Sequence, residues 1–455
     1  MKKILWNKFT FLALTFLLMQ QLIVASSTFW ISYLSEAVVL GKNVTFYLVL
    51  FVSSLFLVYI PGVFASFYLE KAKSKAIHRY TQQFSESYKC LPTMLSEKEF
   101  QAEREPWLTN EGSRTIEETY HMLYDSTATG LNTILNIGAL CIAIDSRMIS
   151  GYFLSFMILP IVSKYLKHRL ADVGLSLQND RKSLSQTLLS GWDNIVIGNI
   201  YNFTIWWKQY CARWGAYNNS SAKNALFNQL ASAAVMMCAL VPVAGTFIWL
   251  FLHTSDTAKL AALIATLPRQ IQIIQHFEIL STYAMYWHGT YAKIKALMEA
   301  LIFKKEDHYK AINDRISIKE MKFTINNSVK TFENHKNLFE ALSNRNNGRI
   351  TIQGRNGSGK TTLVNMIKNE LGEQAYYLPT NSRLLFDSIL NSSLSTGQRV
   401  KACLDELEKS LTNLKVLILD EWDANLDNTN IEVISSMLDK LANKYCIIEI
   451  SHRQL

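Results

Sequence analysis

The sequence predicts an all-α, six-helix transmembrane domain followed by a small α/β domain. Three observations carry that prediction. Membrane-length apolar segments crowd the chain before about position 285, charged residues concentrate after it, and a glycine-rich phosphate-binding loop lies at 354–362. Across 455 residues only 18% are charged and 49% are hydrophobic, an unusual balance for a wholly soluble protein of two or three domains. The domain boundary is placed at 300: residues 1–300 as a transmembrane domain with long cytoplasmic extensions, residues 301–455 as the nucleotide-binding domain.

The first apolar run begins near Met1-Lys-Lys and continues to about Ser32 with no small-residue cleavage pattern, so it reads as a spanning helix rather than a signal peptide. Further spans are expected at about Val44–Leu69, Leu123–Ile144, Ile149–Leu166, Leu226–Leu252 and Leu260–Trp287. The loops at about 70–120 and 167–225 carry most of the Lys and Arg of the first 300 residues, among them Lys71, Lys73, Arg79, Arg104, Arg181, Lys182 and Arg213. The opposite loops hold only Lys42, Arg147 and Lys259. This asymmetry places both termini in the cytoplasm, where nucleotide is available, and predicts a multi-pass protein of the inner (cytoplasmic) membrane. It also accounts for the net charge of +9 without nucleic acid as a partner. Helical-period apolar residues within the two basic loops predict helices that continue beyond the bilayer.

The sixth segment is unusually polar. Arg269, Gln272 and His276 fall at i, i+3 and i+7, one helical face, and are the expected lining of a substrate cavity or gate. The competing reading sets His276 and Glu278 near the cytoplasmic end of the helix. Gln20, Gln21, Asn132 and Asn136 are weaker cavity residues, because hydrogen bonding between helices explains them equally well. The six cysteines show neither Cys-x-x-Cys spacing nor clustering with histidine, so neither a zinc site nor a disulfide framework is expected.

The second domain is organised by Gly354-Arg355-Asn356-Gly357-Ser358-Gly359-Lys360-Thr361-Thr362. Glycines let backbone N–H groups curl around β- and γ-phosphates, Lys360 adds a cation, and the Thr361 hydroxyl reaches Mg²⁺. A strand at 349–353 enters the loop and a helix from 363 leaves it, the local structure of a P-loop NTPase. Val416-Leu-Ile-Leu-Asp420-Glu421 is an apolar strand ending in two carboxylates. In this pattern Asp420 completes the metal shell and Glu421 polarises the attacking water.

Leu394-Ser395-Thr396-Gly397-Gln398 lies between these motifs, and Asn425-Leu426-Asp427 and Ser451-His452-Arg453 follow them. The ordered set resembles the ATP-binding cassette (ABC) family: Walker A, signature, Walker B with its glutamate, D-loop and switch histidine. With six preceding spans the chain is similar to a half-size ABC exporter of bacterial peptides, lipids or drugs. The resemblance implies ATP and Mg²⁺ as ligands and a dimer, either with a second copy or with a related half-transporter. Ser395, Gly397 and Gln398 of one chain would face the nucleotide of the other, His452 would sense the γ-phosphate as a catalytic group, and Asp427 would link the two sites. The implied function is ATP-driven export of an amphipathic substrate, a small peptide, lipid or drug-like molecule, with an antimicrobial or modified peptide preferred. The alternative is an ATP-binding membrane regulator or immunity protein with weak ATPase activity.

Departures from the family pattern motivate that alternative. Thr380 stands where a coupling glutamine is expected, and Ile325, with Phe323 nearby, stands where an aromatic ring would stack on adenine. The signature follows 380 so closely that little room is left for a helical subdomain. So small a cassette is expected to lean on the membrane domain and on its twin for stability.

Overall fold

The computed structural model describes residues 2–302, 316–325, 328–332, 337–338, 341, 345, 347–355, 357–379, 383–389, 394–410, 414–424 and 426–451. The chain divides into two compact units. One comprises Met1–Tyr80 and Gly112–Met298, the other Thr81–Glu111 and Glu299–Leu455.

The main helices of the first part of the chain are α1 (Lys8–Leu40), α2 (Val44–Leu57), α3 (Tyr59–Tyr88), α4 (Gly112–Ala143), α5 (Met148–Leu189), α6 (Ile200–His253), α7 (Thr257–Ala265) and α8 (Leu267–Ala300). Asn7 starts α1 with a capping box, its side chain accepting from the Phe9 and Thr10 amides. Gly41 ends the helix in the left-handed conformation at φ +64. Five described segments are long and apolar enough to cross a membrane: Lys8–Leu40, Val44–Tyr88, Phe100–Ala143, Met148–Leu166 and Ile200–His253. The expected sixth, 260–287, is helical but divided at Thr266 between α7 and α8. Its Arg269, Gln270, Gln272, Gln275, His276 and Glu278 dilute its hydropathy, which explains why it stands apart from the other five.

The burial pattern is that of helices solvated by lipid. Phe56 and Ile142 are 72% and 74% exposed, whereas small and polar residues such as Ala13, Thr28, Ser32 and Asn136 are buried. Between α1 and α4, Asn132 Nδ2 donates to Gln21 Oε1 at 2.7 Å and Thr28 Oγ1 bonds Asn136 Oδ1 at 2.6 Å. Gln21, Asn132 and Asn136 are therefore engaged in bonds between helices. A core around Tyr152, Val243, Ile273 and Phe277 joins α5, α6 and α8. At 42 and 54 residues, α5 and α6 extend about 63 and 81 Å at 1.5 Å per residue, well beyond a hydrocarbon core of about 30 Å.

The second unit contains a six-stranded sheet. Its elements are β1 (Met321–Ile325), β2 (Ser328–Lys330), β3 (Gly348–Gly354), α9 (Lys360–Leu371), β4 (Ala375–Pro379), α10 (Thr396–Ser410), β5 (Val416–Asp420), α11 (Asn428–Leu441) and β6 (Cys446–Ile450). The order is β2-β1-β3-β6-β5-β4, with β3, β6, β5 and β4 parallel and β1 antiparallel to both neighbours. Every residue of β5 is buried because helices cover both faces. Ile418 points with Ile350, Ile448 and Ile352 toward Leu363, Val364 and Ile367 of α9. Leu417 and Leu419 point the other way, toward Leu404 of α10 and Ile434 and Leu438 of α11. Phe323 and Ile325 are 0% and 4% exposed within the first of these cores, and the Phe323 ring packs edge-on against Phe332. Neither side chain is available to stack on a base.

No helix occurs among the described residues between β4 and α10. A turn at Asp387–Ile389 is held there by Glu406, whose carboxylate accepts from the Asp387 and Ser388 amides at 3.2 and 2.9 Å. Within the same unit the short helix Pro92–Ser96 packs on α9, and Arg383 pairs with Glu105 at 3.3 Å.

Candidate functional site

Strand β3 delivers the chain to the phosphate loop through Gly354. A Cβ there would meet Ser358 Oγ at 3.1 Å and the Glu320 carbonyl at 3.2 Å, so the position is closed to larger residues. Gly357 and Gly359 take φ of +83 and +90, left-handed conformations that turn successive amides inward. Gly359 then caps α9, whose first residue is Lys360. Lys360 is 7% exposed, and its Nζ donates to the Gly354 and Arg355 carbonyls at 2.9 and 3.1 Å, which folds the ammonium over the loop. The buried Ser358 hydroxyl has no partner among the described residues. Free amides at a helix N-terminus, an ammonium and an orphaned hydroxyl together fit a polyphosphate.

Strand β6 lies between β3 and β5 and sets the spacing from the loop to Asp420. Asp420 is 6% exposed; its Oδ2 accepts from the Tyr377 hydroxyl at 2.9 Å and its carboxylate is also hydrogen-bonded by Thr361. Thr361 and Asp420 therefore meet, an alcohol and a carboxylate oxygen of the hard kind that Mg²⁺ takes. Burial holds the Asp420 carboxyl above its ordinary range, more than the Tyr377 and Thr361 hydrogen bonds lower it. Burial, and then the Asp420 charge, raise the Tyr377 phenol. A divalent cation at this point would reverse the Asp420 shift.

Glu421 follows in a left-handed conformation, φ +49, with its amide bonded to the Ile450 carbonyl at 3.1 Å. Two buried side-chain bonds pin the turn behind it to β6 and the residue after β6. The Trp422 indole donates to Glu449 Oε2 at 2.9 Å, and Ser451 Oγ donates to Asp423 Oδ2 at 2.8 Å. Glu449 is fully buried and also accepts from Arg349 Nε and Nη2 at 2.8 and 2.9 Å and from Thr351 Oγ1 at 2.8 Å. Burial opposes the Arg349 charge, but the Glu449 bonds outweigh it and leave its pKa raised.

Ser395 and Gln398 form a reciprocal cap on α10: Ser395 N donates to Gln398 Oε1 at 3.1 Å and Gln398 N to Ser395 Oγ at 3.4 Å. Gly397 is pressed against Asn430, where a Cβ would come within 2.7 Å of the side-chain amide carbon. Asp427 caps α11, accepting from Asn430 N at 2.7 Å. Ser395, Gly397, Gln398 and Asp427 thus converge around the facing starts of α10 and α11. Thr362 lies half-buried in the first turn of α9. Asn356, Thr380, Asn425, His452 and Arg453 lie outside the described residues.

In the membrane unit, Arg269 donates to Gln272 Oε1 at 2.7 Å and to Ser27 Oγ of α1 at 3.0 Å. His276 Nδ1 is buried with no partner among the described residues. A cavity opens on a different part of α8, beside Glu278 and Thr282. The sequence reading passed over this cavity and the Trp422–Glu449–Arg349 knot. The knot left a legible trace, since a carboxylate within Cys446-Ile-Ile-Glu-Ile450 needs a partner once that strand is central.

A beside-the-loop cleft of about 630 Å³ is lined by Lys319, Lys322, Thr331, Gly354, Arg355 and Ser451 among others, with no aromatic ring among the described lining residues. Fold and site together define a membrane-spanning chain that ends in a phosphate-loop ATPase domain. The model of the ATPase family associated with various cellular activities (AAA) matches residues 350–452, from β3 to just past β6. No curated protein sequence matches the chain. Among solved structures, that of a bacterial Atm1-family ABC exporter with ATP bound is similar, with a TM-score of 0.59 and 13% identity. The similarity covers 97% of this chain and 90% of that one. The chain has the fold of a half-size ABC exporter, with the helical membrane domain and the ATPase domain in one polypeptide.

Proposed function

We propose that the protein is an ATP-driven exporter that works as a dimer in the inner membrane and moves an amphipathic substrate, in particular an antimicrobial or modified peptide, outward. One observation carries this reading. A phosphate cradle with a Thr361–Asp420 pair and an adjoining Glu421 lies in a chain that follows an ABC exporter fold over 97% of its length.

Lys360 and the amides of 357–361 bind and orient the β- and γ-phosphates. Thr361 and Asp420 would hold Mg²⁺, which would supply charge neutralisation on those oxygens. Glu421 lies one residue beyond the metal carboxylate and accepts a proton from the attacking water, while the Trp422 and Asp423 anchors keep its turn in place. The exposed Ser395 at the start of α10 offers the helix N-terminus to a nucleotide on the second subunit. His452 senses the γ-phosphate, and Asp427 joins the two sites. Closure of the paired ATPase domains is relayed through the long helices α5 and α6 to the membrane domain.

The test is Mg²⁺-dependent ATP hydrolysis by the full chain in lipid nanodiscs. Lys360→Ala weakens nucleotide binding. Glu421→Gln retains binding and slows turnover by about two orders of magnitude or more. Equal turnover in wild type and Glu421→Gln removes the assignment.

A further inference from the structure

A cavity of about 490 Å³ lies between α5, α6 and α8 in the membrane unit, and among the described residues its one charged lining group is Glu278. Glu278 Oε1 accepts from Ser232 and from Thr282, the latter at 3.3 Å, while Oε2 has no partner among the described residues. Among the described residues no lysine, arginine or histidine lines this cavity, although Asn224, Asn228 and Gln229 add further hydrogen-bonding groups. A second chamber of about 450 Å³ adjoins it and shares Ser281 and Met285. Its walls are mainly apolar, including Phe156, Leu159, Phe277 and Leu280, with Lys164 its charged group.

An uncompensated carboxylate among helices of a membrane domain is costly and is stabilised by a cation that brings its own hydrogen-bond donors. The adjoining chamber, mainly apolar apart from Ser281 and Lys164, suits a hydrocarbon or aromatic body better than a small hydrated ion. We propose that these paired chambers bind a cationic amphiphile, with a primary ammonium head on Glu278, Ser232 and Thr282 and an apolar body running past Met285 toward Phe156 and Phe277. The site is separate from the Arg269–Gln272 face. It deepens the exporter reading by naming a substrate class and rests on that reading only in treating the ligand as cargo.

The experiment uses the full chain in nanodiscs without nucleotide. The probes are dansylcadaverine, a primary ammonium on an aromatic body, and its anionic counterpart dansyl-6-aminohexanoate, followed by fluorescence. Wild type binds the amine at least about tenfold more tightly than the anion, as a charge-assisted hydrogen bond implies. Glu278→Gln removes that preference, and Met285→Trp, which narrows the junction, weakens both probes. Equal binding of amine and anion by wild type, or unchanged amine affinity in Glu278→Gln, overturns the proposal. Should Glu278→Gln fail to enter nanodiscs, the amine preference of wild type and the loss in Met285→Trp decide the matter.

ATP hydrolysis separates the possible sources of the ligand. Stimulation by the amine marks cargo, whereas binding without stimulation marks a resident amphiphile and overturns the cargo assignment. If Glu421→Gln hydrolyses ATP as wild type does, the exporter reading fails while the binding result still stands.

Discussion

Replacing Trp422 by Phe tests how the left-handed turn that presents Glu421 is held. The turn has three anchors to β6 and its end: Glu421 N to the Ile450 carbonyl, Asp423 to Ser451, and the Trp422 indole to Glu449. A non-glycine residue in a left-handed conformation costs about 1–3 kcal/mol, so the anchors hold Glu421 against a standing penalty. Trp422→Phe removes one hydrogen bond to a buried carboxylate, worth about 1.5–3 kcal/mol, and leaves a gap behind the smaller ring worth about 1 kcal/mol. Glu449 keeps its two Arg349 bonds and that from Thr351, so the sheet remains intact. If about 1.4 kcal/mol of this loss reaches the transition state, kcat falls about tenfold. The phosphate loop makes no use of the indole, so the KM for ATP stays near wild type. Steady-state hydrolysis in nanodiscs measures both. Wild-type kcat, or a loss confined to KM, refutes the reasoning.

Asp427→Ala is expected to destabilise α11 by about 1 kcal/mol through loss of its cap, whereas Asp427→Asn keeps the cap and the stability. If Asp427→Asn still lowers turnover, the residue also acts between sites, and thermal scans paired with ATPase rates separate the two effects. Ser395→Ala removes one arm of the α10 cap, and hydrogen exchange should rise in the first turn of that helix with no change on α9. Burial pushes the Cys403 thiol up to about 11, so at pH 8 it is almost wholly protonated and nucleophilically inert. Native iodoacetamide labelling read by mass spectrometry should modify exposed Cys90 and Cys211 and spare Cys403, whose labelling rises only as pH approaches 11.

The phosphate loop, the Asp420–Glu421 strand end and the apolar spans were legible because each is written locally: glycine spacing, a short apolar run closed by two carboxylates, and stretches of eighteen or more mainly apolar residues with few charges. What joins distant positions was not. The Trp422–Glu449–Arg349 knot ties β6 to β3, 100 residues away in sequence, and to the turn after β5, and depends on β6 lying between those two strands. Glu278 was visible as a polar residue of the sixth segment. Its cavity was not, because which residues of α5 and α6 face it is decided by helix packing. Phe323 shows the reverse failure: proximity in sequence to the adenine-stacking position suggested a substitute, but strand alternation buries that side chain in the sheet core. Likewise, Asp427 and Ser395 read as site residues by motif, and the structure adds that both are helix caps.

The central claim is that the catalytic unit is two chains, each completing the other's site. Mixing Lys360→Ala and Ser395→Arg subunits tests it most directly, with the mixed dimer isolated by two affinity tags and assayed for Mg²⁺-dependent ATP hydrolysis in nanodiscs. Head-to-tail pairing leaves one site of that dimer with an intact phosphate loop and an intact facing signature. The account predicts that the mixed dimer hydrolyses ATP while neither homodimer does; an inactive mixed dimer, or a homodimer of Ser395→Arg that works as well as wild type, contradicts it.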